Sequence, residues 1–221
     1  MKTLPSNRRN AGLTLMEALV SVWVLAVLIA VLWPALAPRH HYGPRINCCN
    51  NLKQVGLSFR IWEGDNNDKY PMQLSVTNGG TMELVATGNV AATFQVMSNE
   101  LSTPKILYCP QDAGRTYATN FTTDLNNHRI SYFVAAEGDE QYPQRFLAGD
   151  ANFEMGGKPV QPVQSGLQAL STNRMFWWSK ARHKRCGYIA FADGSVQEVS
   201  NSNLVTYVGR TGLSTNQLVI P

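Results

Sequence analysis

Apolar positions fall along this chain in two regular rhythms before they become irregular. From Leu13 to Leu32 they are almost continuous: 20 residues with a single charge, Glu17. Coiled into a helix rising about 1.5 Å per residue, that run spans roughly 30 Å, the hydrocarbon thickness of a bilayer. Trp33 stands where an interfacial aromatic anchor belongs. After a polar juncture, Arg39 to Arg45, the second rhythm begins. Cys48, Leu52, Val55, Phe59 and Trp62 recur at intervals of four and three, one apolar stripe of an amphipathic helix with Gly64 as its C-terminal cap. The pattern predicts one long helix over about 14–63 with a defect near Pro34 or Gly43-Pro44. Its 13–37 part would lie in the membrane, and its 38–64 part would be an amphipathic continuation packed on a head.

Residues 65–221 alternate short apolar runs with turn-rich stretches, which predicts an α+β head with an antiparallel sheet. Lys105–Cys109, Ile130–Ala136 and Arg145–Ala148 read as strands. Gly187–Ala192 and Ser195–Val199 flank Asp193-Gly194 and read as a hairpin, the two turn residues tolerating the positive φ angles of a type I′ turn. Val90–Leu101 and Asn203–Val208 read as short helices, and Gln111–Asn127 and Asp150–Ser165 as loops.

Composition narrows the class. Hydrophobic residues make up 44% and charged ones 15%, against about 25% charged in an ordinary soluble domain. Five Trp, eight Tyr and eight Phe can build a core, so the chain as a whole is not disordered. The net charge of +4 owes most to Lys2, Arg8 and Arg9. Removing these three of the nineteen basic residues leaves a near balance with the fifteen acidic ones. The basic character therefore belongs to an N-terminal tag, and no nucleic-acid partner is expected. The tag favours a cytoplasmic N-terminus, although Arg39 and Arg45 follow on the far side.

Glu17 is the residue that calls for chemistry. A carboxylate inside an apolar span costs several kcal/mol, so it marks a functional site unless the span starts at Ala18 and Glu17 reaches the interface. In this context Gly12-Leu13-Thr14-Leu15-Met16-Glu17 resembles the processing signal of type IV prepilins and type II secretion pseudopilins. The resemblance implies that prepilin peptidase cuts between Gly12 and Leu13, leaving 209 of the 221 residues, and that the new N-terminus is methylated. It also implies that Glu17 pairs with the N-terminal amine of a neighbouring subunit, that Pro34 kinks the helix, and that the protein sits in the inner membrane with an extracytoplasmic head. Leu13 departs from the phenylalanine usual in the family. Ala35-Leu36-Ala37 would suit an ordinary signal peptidase, but the apolar run is too long and Pro38 follows the cut.

A second resemblance covers nearly the whole chain. Asn50-Asn-Leu-Lys-Gln-Val-Gly-Leu57, Lys69-Tyr-Pro71, Tyr108-Cys109-Pro110 and His183 followed after nine residues by Asp193-Gly194 are similar to a large group of bacterial prepilin-like proteins. That group implies a pilin-like fold and an assembly class with other pilin-like subunits as partners, not an activity. In it, His183, Asp193 and Gly194 mark a hairpin element.

The remaining features are read more plainly. Lys180-Ala-Arg-His-Lys-Arg185 is either an anion- or partner-binding patch or, as we expect, a solvated loop before a strand. Asp65, Asn67 and Asp68 are a weak calcium set without the full EF-hand pattern. Among Cys48, Cys49, Cys109 and Cys186 three full pairings exist, and a bridge from Cys48 to Cys109 is a candidate. Zinc is disfavoured, since no Cys-x2-Cys spacing occurs and the nearest His residues lie on the membrane side. No cofactor is expected. No nucleophile or phosphate-binding motif is present, so an enzyme is not expected. The rival readings are a membrane-anchored binding module that captures an anionic ligand through Lys184 and Arg185, and a secreted hydrolase cut near Ala37.

Overall fold

In the computed structural model the described residues are 14–36, 43–156, 161–173 and 176–221. They fall into two compact units, one within Met1–His41 and one within Tyr42–Pro221. The expected cleavage pair Gly12 and Leu13 lies outside the described residues.

The first unit is helix α1, Leu15–Leu36. Its stretch Leu15–Trp33, 19 residues, is long and apolar enough to cross a membrane. All described side chains of that stretch are exposed, so nothing in the unit itself covers its apolar surface. Pro34 falls inside the last turn of α1.

The second unit is α+β. Helix α2, Gly43–Asp65, carries the predicted stripe: Cys48, Leu52, Val55, Phe59 and Trp62 are all buried. Short helices α3 (Met82–Ala86), α4 (Val90–Val96) and α5 (Ser98–Leu101) follow. Val90–Leu101 thus forms two helices rather than one. Asn89 caps α4, its side-chain oxygen accepting from the Ala92 N–H at 3.1 Å.

Six strands make an antiparallel sheet: β1 (Tyr132–Ala135), β2 (Phe146–Asp150), β5 (Gly166–Leu170), β7 (Cys186–Phe191), β8 (Val196–Ser200) and β9 (Asn216–Ile220), in the order β5-β9-β1-β2-β7-β8. Strands β3 (Phe153–Met155), β4 (Gln161–Pro162) and β6 (Phe176–Trp178) form a smaller sheet. Helix α6, Asn201–Arg210, links β8 towards β9.

The large sheet is covered on both faces, which is why its central strands read as unbroken apolar runs. Tyr132, Val134, Tyr188 and Ala190 face the core shared with α2. Their neighbours Phe133, Ala135, Ile189 and Phe191 face the opposite core, shared with α6 and the small sheet. A register shift between Phe146 and Ala148 re-phases β2. The small sheet approaches closely at Gly187, where a Cβ would lie 2.5 Å from the Trp178 ring.

Two expectations need correction. Lys105–Cys109 is not a strand. Pro104–Leu107 forms a 3-10 turn, with the Thr103 hydroxyl accepting from the Lys105 N–H and Pro104 in its first turn. The Asp150–Ser165 stretch is not all loop, since it contains β3 and β4. The β7–β8 hairpin forms as predicted, but its turn differs. Only Gly194 has a positive φ, 81°, and the Phe191 N–H donates to the Ser195 carbonyl across a three-residue loop.

Candidate functional site

At the start of α1, Thr14 and Glu17 hold each other. The Thr14 N–H and hydroxyl both donate to Glu17 Oε2 at 2.9 Å, and the Glu17 N–H donates to Thr14 Oγ1 at 3.3 Å. This reciprocal pair is a capping box: it satisfies N–H groups that have no carbonyl one turn earlier. The Thr-x-x-Glu signal stands in the sequence, yet a reading of Glu17 purely as a charge in an apolar run passes over it.

In the head, the polar centre is assembled around residues 179–185, between β6 and β7. Arg182 and His183 are buried, while Lys180, Lys184 and Arg185 are exposed. The expectation of a solvated loop therefore holds for only part of it. Charge and hydrogen bonding explain the inward turn. Arg182 Nη2 lies 3.0 Å from Asp112 Oδ2, and its Nη1 donates to the Ser131 carbonyl at 2.9 Å. The His183 backbone is gripped from two sides: its N–H donates to Gln111 Oε1, and its carbonyl accepts from Arg45 Nη2 of α2 at 2.7 Å. His183, Lys184 and Arg185 have φ of 49°, 53° and 69°, three successive non-glycine residues in the left-handed region. Such backbone costs about 1–3 kcal/mol per residue and persists only where its surroundings hold it.

The turn delivers the His183 ring into a fully enclosed position. His183 Nε2 lies 3.4 Å from Asp150 Oδ2 at the end of β2 and 3.4 Å from Cys109 Sγ. Its ring meets the Tyr188 ring edge-on at 5.3 Å. Asp150 Oδ2 also accepts the Tyr188 N–H at 2.8 Å. The partner of His183 is thus Asp150, while Asp193 lies in the hairpin turn with its Oδ1 accepting from the Ser195 N–H. Cys109 is joined to Cys48 across 61 residues, with Cα atoms 5.2 Å apart. Cys49 and Cys186 are free. Disulfide, imidazole and carboxylate together tie α2, the 109–112 turn, β2 and the 179–185 loop into one block. Asp112 and Asp150 have no mark in the sequence, and Arg182 shows there only as one charge of a basic loop, because no local pattern marks residues whose partners lie far along the chain.

A second titratable cluster closes the C-terminal end of α2. Carboxylate oxygens of Glu63, Asp68 and Glu140 lie within 4.8 Å of one another. Of the three weak calcium candidates only Asp68 belongs to this group; Asp65 and Asn67 do not. Arg60 Nη2 already meets Glu140 Oε1 at 2.9 Å. Burial first, then the adjacent Glu140 carboxylate, pushes Glu63 up from 4.5 to about 7. The folded state therefore holds a proton that the unfolded chain releases, so this group's stabilisation is complete below about 4.5 and is lost as pH rises to about 7. Relative to Glu63→Gln, the wild type is expected to lose roughly 3 kcal/mol across that interval. Urea unfolding of both proteins at several pH values checks it: parallel pH profiles would show that Glu63 carries no such linkage.

No family model and no solved structure matches the chain. Mouse (Mus musculus) desmoglein-2 is 28% identical over 142 residues, which is 56% of this chain and 12% of desmoglein-2. A likeness of that extent does not place the chain in a family.

Proposed function

We propose that this protein is a pilin-like (pseudopilin) structural subunit of a type II secretion or type IV filament system, matured by prepilin peptidase and N-methylated. The observation that carries the reading is Thr14-x-x-Glu17 at the head of an exposed apolar helix, directly after a short basic segment ending in Gly12. A cut after Gly12 would create an ammonium group one residue from the Thr14–Glu17 pair. A carboxylate in an apolar environment is stable only beside a cation, and a neighbouring subunit's new N-terminus supplies one.

In this reading residues 1–12 are the leader and 13–37 the membrane anchor in the inner membrane. Residues 38–64 are the amphipathic segment after the anchor, helical from Gly43, and 65–221 form the extracytoplasmic head of a pilin-like fold. The exposed apolar surface of α1 supports the anchor and, after extraction from the bilayer, a bundle of such helices. The disulfide supports an oxidising compartment for the head.

The mass of the N-terminal peptide of the membrane-extracted protein tests this. A chain starting at methylated Leu13 is the expected result. A chain starting at Met1 or near Pro38 overturns it. The binding-module reading, with Lys180, Lys184 and Arg185 as its exposed cations, would then be the one to pursue.

A further inference from the structure

We propose that Cys48, Cys109 and His183, with Asp150 beside them, form a zinc site when the two cysteines are reduced, so that a metal can staple the head in place of the disulfide. This goes beyond the filament reading and does not depend on it. Ligand atoms of Cys48, Cys109 and His183 lie within 4.8 Å of one another, and all three residues are buried. Tetrahedral zinc, with Zn–S near 2.3 Å and Zn–N or Zn–O near 2.0–2.1 Å, sets its ligand atoms roughly 3.3–3.8 Å apart. The two separations at His183 Nε2, 3.4 Å to Cys109 Sγ and 3.4 Å to Asp150 Oδ2, already match edges of such a tetrahedron. Asp150 is fully buried and its Oδ1 has no hydrogen-bond partner, so a cation beside it would meet an unmet need. The mixed thiolate–imidazole set suits zinc over the hard cations, and a full set of four protein ligands with no open position is the mark of a structural site.

The chemistry balances. Opening the Cys48–Cys109 bond takes two electrons and two protons: a dithiol supplies both and leaves as a disulfide, whereas a phosphine supplies the electrons and water supplies the two protons and the oxygen of the phosphine oxide. Binding Zn2+ then releases the two thiol protons. Metal and disulfide do the same mechanical work, holding α2 to a turn 61 residues away. With Nε2 on the metal the ring proton sits on Nδ1, which has no hydrogen-bond partner among the described residues.

Because the ligands are enclosed, the metal must enter during folding. The full-length protein in detergent is therefore unfolded in denaturant with a phosphine and refolded anaerobically with Co2+ or Zn2+. The wild type is expected to take up one equivalent of Co2+ with the strong visible bands of a tetrahedral thiolate site. Zn2+ is expected to restore most of the stability that reduction removes. Both effects should be lost in Cys48→Ser/Cys109→Ser and in His183→Ala, the latter first checked for folding in its oxidised form. Asp150→Asn is expected to weaken Co2+ binding about 10–100-fold. Cobalt uptake by the reduced wild type no greater than by the double serine variant overturns the proposal, as does failure of Zn2+ to promote its folding. If His183→Ala does not fold, X-ray absorption of the zinc-refolded wild type decides: two sulfurs with nitrogen or oxygen neighbours support the site, and a shell without sulfur refutes it.

Discussion

Glu17→Ala and Glu17→Val are expected to leave removal of the leader intact and to reduce incorporation into filaments by a hundredfold or more. Stripping one partner from a buried ion pair strands the other charge and costs about 3–5 kcal/mol, more than two decades in an equilibrium. The capping box complicates the simple experiment, because either substitution also removes the Glu17 contacts to Thr14. Glu17→Gln separates the two effects. Glutamine serves as well as glutamate at that position of a capping box, so helix α1 keeps its start. It lacks the charge, so it cannot neutralise a neighbour's ammonium. Loss of assembly in Glu17→Gln, with normal cleavage by mass, would support a charge pair between subunits. Normal assembly of Glu17→Gln would mean that Glu17 serves only to start its own helix.

Replacing both bridged cysteines, Cys48→Ser/Cys109→Ser, is expected to cost the head about 4 kcal/mol, the loop-closure estimate for 61 residues. The loss acts mainly by freeing the unfolded chain. The native contacts around it persist, including Asn51 Nδ2 to the Tyr108 carbonyl at 3.0 Å and Arg182 to Asp112 at 3.0 Å. Denaturant unfolding in oxidising, metal-free buffer measures the difference. In reductant without metal, wild type and variant should converge. A loss below about 1 kcal/mol in oxidising buffer would mean that the bridge adds little to a block already held by its hydrogen bonds and ion pairs.

The regions that were legible in sequence share one property: their partners are close by along the chain. The apolar run of α1 and the Cys48–Trp62 stripe of α2 follow from helical periodicity, which each residue expresses through neighbours three and four positions away. The β7–β8 hairpin follows from Asp193-Gly194 at the turn between an apolar run and a short run with a Val near each end. Strands β5 and β9 had no such signature. Asn216–Ile220 takes its place between β5 and β1 by pairing with residues some fifty and more than eighty positions earlier. Lys105–Cys109 presents an apolar run that suits a strand, but Thr103 and Pro104 wind it into a 3-10 turn in which Ile106 and Leu107 are still buried.

By itself, the sequence determined an apolar helix long enough to cross a membrane, an amphipathic helix with Cys48 on its buried face, and an α+β second unit. It also placed Glu17 where a charge demands a partner. Only the tertiary structure decided the polar centre of the head. Residues 180–185 carry five charged or titratable side chains, and local composition favours leaving them all in water. Burial of Arg182 and His183 becomes favourable only when Asp112 and Asp150 are brought to them by the loop after the 3-10 turn and by the end of β2. Desolvating the Arg182 guanidinium is repaid by the Asp112 carboxylate at 3.0 Å, and sequence does not record that distance for residues so far apart along the chain.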